Sequence, residues 1–542
     1  MGKNKLLLIG WDGATFDIIK PLVEKGDMPN MASLMKNGVW GRLESTVPPL
    51  TPVAWTSIST GVNPGKHGIY DIMMYSREEH KVKFFSAAVR KVRPLWSILS
   101  ASGRSVGVMN VPMTYPPDEV NGFMISGMLT PYGVSDFIHP QGLKAEIEKR
   151  FGKYMIECNQ TDNPSKYLGL ILDMVDLRGK VALYLMESSP WDFFFTVFIA
   201  SDRVQHFFWK YLNPNHPEHH KYGRAIAEVY RRMDNVLGKL VEKSGPDTYV
   251  MMVSDHGSGP LDTAFFLNNW LIKNGYLYLK DDLANALKIK KPSPIKMGIA
   301  KSVKMLLPTS VAEKIKKGPD RHEELNTFSN FIDWDRTTAF SIGVSGTGGI
   351  YINHDLIGND KVMEIVGRIK KDLMAIKDPL GRNVIKDVYH RDEIYSGEYV
   401  KMSPDMIIIC SPGYQVIAPN EFLNPFFKKG FEDSLFVSPR WSGRHEQYGI
   451  FLLKGNGVRK NTEIESARVI DIAPMSLYLM GEDIPDYMDG RVIENAIEND
   501  YFNRNTIRYA GNMISHRNAG KELTEDQEKE IAERLRGLGY IE

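Results

Sequence analysis

The chain has 542 residues, 43% of them hydrophobic, enough to bury a large core and to carry more than one structural unit. A formal net charge of +1 excludes a whole-chain attraction to nucleic-acid duplexes or anionic membranes, and no stretch approaches the ~18 to 20 apolar residues of a membrane span. The two cysteines, Cys158 and Cys410, lie far apart in sequence, which argues against a disulfide framework or a CxxC metal site and points to a reducing, cytoplasmic setting.

The apolar run Leu6-Leu7-Leu8-Ile9, too short for a signal-peptide core, predicts a buried strand with Asp12 at its end. The segment from Pro48 to Gly61 predicts a helix with Thr51 at the N-cap, Pro52 at the first helical position and Gly61 just past the end. A helix start offers unpaired backbone N–H groups and positive dipole, which favour a phosphate and an ionised hydroxyl alike; simple capping is the plainer role for Thr51. A helix over Pro94–Ala101 and a strand over Ser105–Met109 follow, and such alternation argues a parallel sheet.

Residues 165–190 read as a long helix and residues 191–199 as a strand, after which Asp202 and His206 are spaced to share one helix face. Residues 217–243 predict a helix carrying Ile226, Val229, Tyr230, Met233, Val236, Leu237 and Leu240 as its apolar stripe. The run Tyr249-Val250-Met251-Met252-Val253 then ends in Asp255-His256-Gly257, two unlike metal ligands side by side. Apolar runs of this length bounded by Gly and turn residues read as strands buried on both faces, and ligands of open α/β sheets collect outside the carboxyl ends of the strands. The expected fold class is therefore α/β, a doubly wound, mostly parallel sheet flanked by helices.

Between Leu283 and Arg321 the composition turns basic, with Lys288, Lys290, Lys291 and Lys296 among its many cations, and an insertion is expected there. It reads as a solvated helical face, a cap over a site for anionic substrates, or a membrane-surface element. Strands resume after Ser341, clearest over Gly348–Ile352 and Met406–Ile409, and the tail from Thr524 to Glu542 spaces Ile531, Leu535, Leu538 and Ile541 as an amphipathic helix docking on its own domain or a neighbour. The expected organisation is a first core part over 1–270, a basic, partly helical cap over 271–340, a second core part over 341–495 and a helical tail over 496–542.

Thr51, Thr60-Gly61, Pro64, His67-Gly68 and Ile69 together resemble the nucleophile segment of the alkaline phosphatase superfamily, in its type I phosphodiesterase/nucleotide pyrophosphatase branch. Asp12 in Ile9-Gly10-Trp11-Asp12-Gly13, the Asp202/His206 step, Asp255-His256-Gly257 and His445 in Gly443-Arg444-His445 occur in the family's order. The resemblance implies an alkaline phosphatase-like fold and two divalent metal ions. One would be held by Asp202, His206 and His445, and the other by Asp12, Asp255, His256 and the oxygen of Thr51. It also implies attack by Thr51 on phosphorus, followed by hydrolysis of phospho-Thr51. Nitrogen and carboxylate ligands suit zinc, with manganese second, and a pair of ions ~3.5 to 4 Å apart serves an in-line displacement. Three ligand carboxylates and an ionised Thr51 bring two dications close to neutrality, so an anionic substrate is admitted without large repulsion.

Where eukaryotic members of the branch carry Lys before the nucleophile and Asn three residues after it, this chain has Leu50 and Ala54, so the reaction class carries over further than the substrate. Nucleotides, lipid head groups and glycan phosphates all fit the expectation of a small phosphorylated substrate. His67, a single imidazole beside the segment, is expected to be structural. A cofactor-independent phosphoglycerate mutase would use Ser and place a large domain after it, and a sulfatase would need Cys or Ser where Thr51 stands. A phosphomonoesterase on the same core and a non-catalytic phosphate-ligand binder are the alternatives.

Overall fold

Nine strands build the central sheet of this computed structural model, which describes residues 4–77, 79, 81–131, 133–280, 332–342, 348–417, 435–511 and 523–538. In chain order they are β1 (Lys5–Trp11), β2 (Val39–Glu44), β3 (Val106–Val111), β4 (Gly122–Ser126), β5 (Ile138–His139), β6 (Phe193–Phe198), β7 (Thr248–Val253), β8 (Tyr448–Lys454) and β9 (Thr462–Arg468). Their spatial order is β9-β2-β8-β7-β1-β6-β3-β4-β5.

The middle of this sheet is parallel: β1 pairs with β6 on one side and β7 on the other, and β6 pairs with β3. Leu6 stands opposite both Phe193 and Tyr249, so the three carboxyl ends finish level with one another. Every residue of β6 and β7, and of β1 after Lys5, is buried, which is why these strands read as unbroken apolar runs and not as alternating ones. Full burial of side chains such as Phe193, Phe194 and Phe195 stabilises the sheet by roughly 1.5–3 kcal/mol each. Antiparallel β8 enters between β7 and β2, and β9 runs parallel to β2 at the edge.

Helices flank the sheet, among them α1 (Thr51–Thr60), α2 (Pro164–Ser188), α3 (Ala200–Phe208) and α4 (Ala225–Ser244). The helix expected from residue 217 begins only at Ala225, because Gly223 caps a short turn of helix at His219–Tyr222 and a turn at Gly223-Arg224 separates the two. The apolar stripe expected on it is buried in full, from Ile226 to Leu240.

The strands expected after residue 341 form over Gly349–Ile352 and Met406–Cys410, in a separate sheet outside the central one. With Ala339–Phe340 and Ile385–His390 they make four antiparallel strands. The difference has a physical cause visible along Ile385–His390, where buried Ile385, Val388 and His390 alternate with more exposed neighbours. One covered face suits an antiparallel sheet, covered here by the helix Asn359–Met374 through Val366, Ile369 and Leu373.

The tail helix, Glu525–Leu538, buries Ile531 and Leu535 against this second core, so it docks on its own chain, and Arg534 donates to the carbonyl of Thr130. The basic stretch Lys288–Arg321 and the tail residue Ile541 lie outside the described residues. Among the described residues no helix is long and apolar enough to cross a membrane.

Candidate metal centre

The level carboxyl ends of β1, β6 and β7 place three ligand segments side by side. Asp12 follows β1 directly, Asp202 and His206 stand on α3 immediately after β6, and Asp255-His256 follow β7. Gly13 makes the turn after Asp12 with φ of 66°, in the left-handed region, and a Cβ there would press on Asp202 at 3.1 Å. Its N–H donates to Asp255 Oδ1 (3.1 Å), while its carbonyl accepts from Gln205 Nε2 and Ser258 Oγ (2.8 Å each), so the turn is tied to both neighbouring segments.

His445 arrives from far along the chain by strand pairing. Gly257–Phe265, which continues from His256, pairs antiparallel with Gly443–Glu446, and the register sets Ser258 opposite His445. Thr51 is the first residue of α1 and not its cap: Leu50 holds the extended N-cap position, and Pro52 takes the second helical position, where its missing N–H costs nothing. The Thr51 hydroxyl is thereby released from capping and points to His256 Nε2 at 3.1 Å.

All seven residues expected at the site come together. His256 Nε2 lies 3.2 Å from Asp255 Oδ2 and 3.6 Å from Asp12 Oδ1. Asp202 Oδ1 lies 3.0 Å from His206 Nε2 and 3.4 Å from His445 Nε2, and those two nitrogens are 3.0 Å apart. Two groups have ligand atoms within 4.8 Å of one another: Asp12, Asp255 and His256, and Asp202, His256 and His445. His256 therefore reaches both halves, its ring stacked on that of His445 with centroids 3.7 Å apart. Apart from His445, which is half-buried, the members are buried.

The donor set fits divalent cations. Each imidazole meets a backbone carbonyl through Nδ1: His206 with Gly443 (2.8 Å), His256 with Gly257 (2.9 Å) and His445 with Pro49 (3.0 Å). A carbonyl only accepts, so Nδ1 carries the proton and each Nε2 presents a bare lone pair. These lone pairs face Asp12 Oδ1, Asp202 Oδ1 and Asp255 Oδ2, buried oxygens with no hydrogen-bond donor. Lone pairs facing one another at about 3 Å repel unless a cation sits among them.

The electrostatics agree. Burial, and then the charge of Asp202, push the Asp12 carboxyl well above the usual carboxylate range, and burial followed by Asp12 does the same to Asp255. Asp202, although burial opposes its charge, falls well below that range when protonated His206 and His445 supply positive charge, a part that would pass to a cation once their Nε2 atoms are bare. Burial and then His445 keep His256 neutral. The carboxylates thus compete for charge that two dications would neutralise.

His67 is fully buried beside the site, accepting from the Ile69 N–H at Nδ1 and meeting Ser57 Oγ at 3.0 Å, with burial and then Arg90 lowering it to about 3. Residues not anticipated from sequence include Gln205, Ser258, Trp55 and Trp441. Trp55 stands four residues after Thr51, a spacing that shares a helix face and was the available signal; Trp441 carries none. Trp441 packs on His206 with centroids 4.4 Å apart, at the mouth of a cleft of about 300 Å³. Pro48, Pro49 and Leu50 line this cleft together with Tyr389 and Ile408 of the second sheet and Tyr414 of the strand Gly413–Val416, which pairs with Gly257–Phe265.

The sequence matches the family described as type I phosphodiesterase / nucleotide pyrophosphatase over residues 6–423. No curated protein matches it. Among solved structures, it is similar to an inactive variant of murine ectonucleotide pyrophosphatase / phosphodiesterase 5 in complex with AMP, with a TM-score of 0.51 and 14% identity, covering 89% of this chain and 96% of that one. It is also similar to phosphonoacetate hydrolase from Sinorhizobium meliloti 1021 in complex with phosphonoformate, with a TM-score of 0.52 and 14% identity, covering 88% of this chain and 95% of that one. At such identity these two likenesses speak for the fold, an alkaline phosphatase-like sheet flanked by helices.

Proposed function

Since the chain belongs to the type I phosphodiesterase / nucleotide pyrophosphatase family and is a hydrolase of phosphoric ester bonds, we propose that it cleaves phosphodiester or pyrophosphate bonds of a small substrate through a phospho-threonine intermediate at a two-metal site. The observation that carries this reading is the convergence of three carbonyl-anchored imidazoles and three donorless carboxylate oxygens around the hydroxyl of Thr51.

Asp202, His206 and His445 would hold one ion, and Asp12, Asp255 and His256 the other beside Thr51, with zinc favoured by the ligand types and manganese the second choice. When bound, the ions supply the positive charge that stabilises the attacking and leaving oxygens of an in-line displacement. Thr51 forms the new ester bond to phosphorus through Oγ1 as the alcohol or phosphate leaving group departs with its oxygen. Water then cleaves that ester and restores the hydroxyl. The N-terminus of α1 directs its dipole at the same point, favouring the anion that Thr51 becomes and the phosphoryl group it takes.

A diester or pyrophosphate is favoured over a monoester by the state of Arg444, a cation beside the site. Arg444 neighbours His445, yet its Nη1 donates to the Ser411 carbonyl (2.7 Å) and to that of Tyr414, and its Nε faces Glu446 Oε1 at 3.1 Å. It is thereby occupied away from a third phosphate oxygen. The cleft beside Trp441 takes the remaining group of the substrate, a nucleotide, lipid head-group or glycan moiety. Purified protein with zinc or manganese is to be assayed against aryl monoester, diester and pyrophosphate substrates, with faster turnover of the diester or pyrophosphate expected. Two bound ions with no hydrolysis of any of them would favour a binder instead.

A further inference from the structure

We infer that Trp55 is a positioning residue for the metal centre, its indole N–H holding one carboxylate oxygen of Asp12 so that only the other is offered to an ion. The inference rests on the two-metal reading above.

Trp55 Nε1 donates to Asp12 Oδ2 at 2.9 Å, and both residues are buried. The other oxygen, Asp12 Oδ1, has no donor and lies 3.6 Å from His256 Nε2. A neutral donor on Oδ2 leaves the carboxylate its charge but removes the bidentate mode, and it fixes the plane of the group.

The chain makes room for this arrangement. Gly10 on β1 and Asp12, the residue directly after it, lie two apart along the chain. A Cβ on Gly10 would stand 2.3 Å from Trp55 Cη2 and 2.9 Å from Val197, so the indole lies directly over the strand backbone and runs on to Asp12. Phe195 flanks the ring at a centroid distance of 6.0 Å. A buried indole N–H needs an acceptor, but here the acceptor is a candidate ligand carboxylate at the end of β1, and the donor sits one turn from Thr51 on α1. One rigid turn of helix therefore ties the position of the attacking hydroxyl to that of Asp12.

A second indole supplies the control. Trp96 Nε1 donates to Asp118 Oδ2 at 2.8 Å, a buried Trp–Asp pair, also met by Arg90, that belongs to neither ligand group found among the described residues. Zinc binding to the metal-free full-length chain is measured by calorimetry and chelator competition for wild type, Trp55→Phe, Gly10→Ala and Trp96→Phe. Trp55→Phe and Gly10→Ala are expected to weaken one of two ions by about 10- to 100-fold and spare the other, while Trp96→Phe loses thermal stability with both affinities unchanged. Wild-type affinities in Trp55→Phe overturn the inference and leave the two-metal reading standing; a wild-type chain that takes up no zinc overturns both. Should Trp55→Phe not fold, 15N-indole spectra of wild type answer the same question among its nine tryptophans. One exchange-protected indole N–H must shift as zinc is added, and no such shift refutes the inference.

Discussion

Thr51 Oγ1 lies 3.1 Å from His256 Nε2, and that nitrogen is the same lone pair that Asp255 and Asp12 surround. Without metal, Nε2 is the acceptor for the hydroxyl proton; in the proposed metal site it would be a ligand, and the hydroxyl would face positive charge. Replacing Thr51 by Ala removes the attacking oxygen but none of the nitrogen or carboxylate donors. Turnover of an aryl diester is expected to fall by roughly 10³-fold or more, with metal content still near two per chain. Elemental analysis alongside the assay checks this, and full activity in the variant would remove Thr51 from the mechanism.

Asp12 illustrates a conflict between stability and function. Its carboxyl is raised by burial and then by Asp202, so the folded state binds its proton more tightly than the unfolded chain does. The stability it confers is therefore present at acid pH and lost as pH rises beyond the ordinary carboxylate range. In chelator at neutral pH, Asp12→Asn is expected to be more stable than wild type, as measured by a higher urea midpoint. With zinc added the order should reverse, because occupancy of a site at 100 times its Kd contributes about 2.7 kcal/mol that the variant largely forgoes.

Asp405 behaves in the opposite sense. It is fully buried in the second sheet, with Arg77 Nη2 at 2.8 Å, Arg391 Nη1 at 3.0 Å, His354 Nε2 at 2.8 Å and the Ile352 N–H at 2.7 Å. Burial raises its carboxyl, but the bond from His354 and the charges of Arg77 and Arg391 outweigh that and hold it at about 2. A depressed carboxylate stabilises the fold above its unfolded value near 4, and that contribution, about 2 kcal/mol, is lost as pH falls from ~4 towards ~2. Unfolding curves of wild type and Asp405→Asn in chelator should therefore differ most at pH 5 and converge near pH 2.

Trp441, packed on His206 at the mouth of the cleft, is expected to act on substrate and not on chemistry. Trp441→Ala should raise KM for a bulky aryl diester several-fold while kcat changes less, and a loss confined to kcat would refute the assignment.

The core of the fold was legible because β1, β6 and β7 are buried on both faces and so appear as continuous apolar runs, each followed by a candidate ligand. The helix of Asp202 and His206 was legible from spacing alone. The second sheet was not, since the runs at Gly349–Ile352 and Met406–Cys410 resemble central strands in composition and only their antiparallel partners distinguish them. Nor did sequence separate Thr51 as cap from Thr51 as first helical residue: Pro52 is compatible with either, and the extended backbone of Leu50 decides it. Trp55 was hidden because an indole in a helix next to a sheet reads as core; its N–H acquires meaning only when Gly10 lets it lie over β1.

The pairing of Ser258 with His445 sets the order in which the site can be completed during synthesis. Asp12, Thr51, Asp202, His206, Asp255 and His256 all leave the ribosome before residue 260, yet the last imidazole follows almost two hundred residues later, together with β8, which fills the gap between β7 and β2. Until that strand slots in, the half-made centre holds clustered carboxylates beside an open seam in the sheet. In the proposed two-metal site, capture of the ions would then be joined to closure of the sheet in one late event.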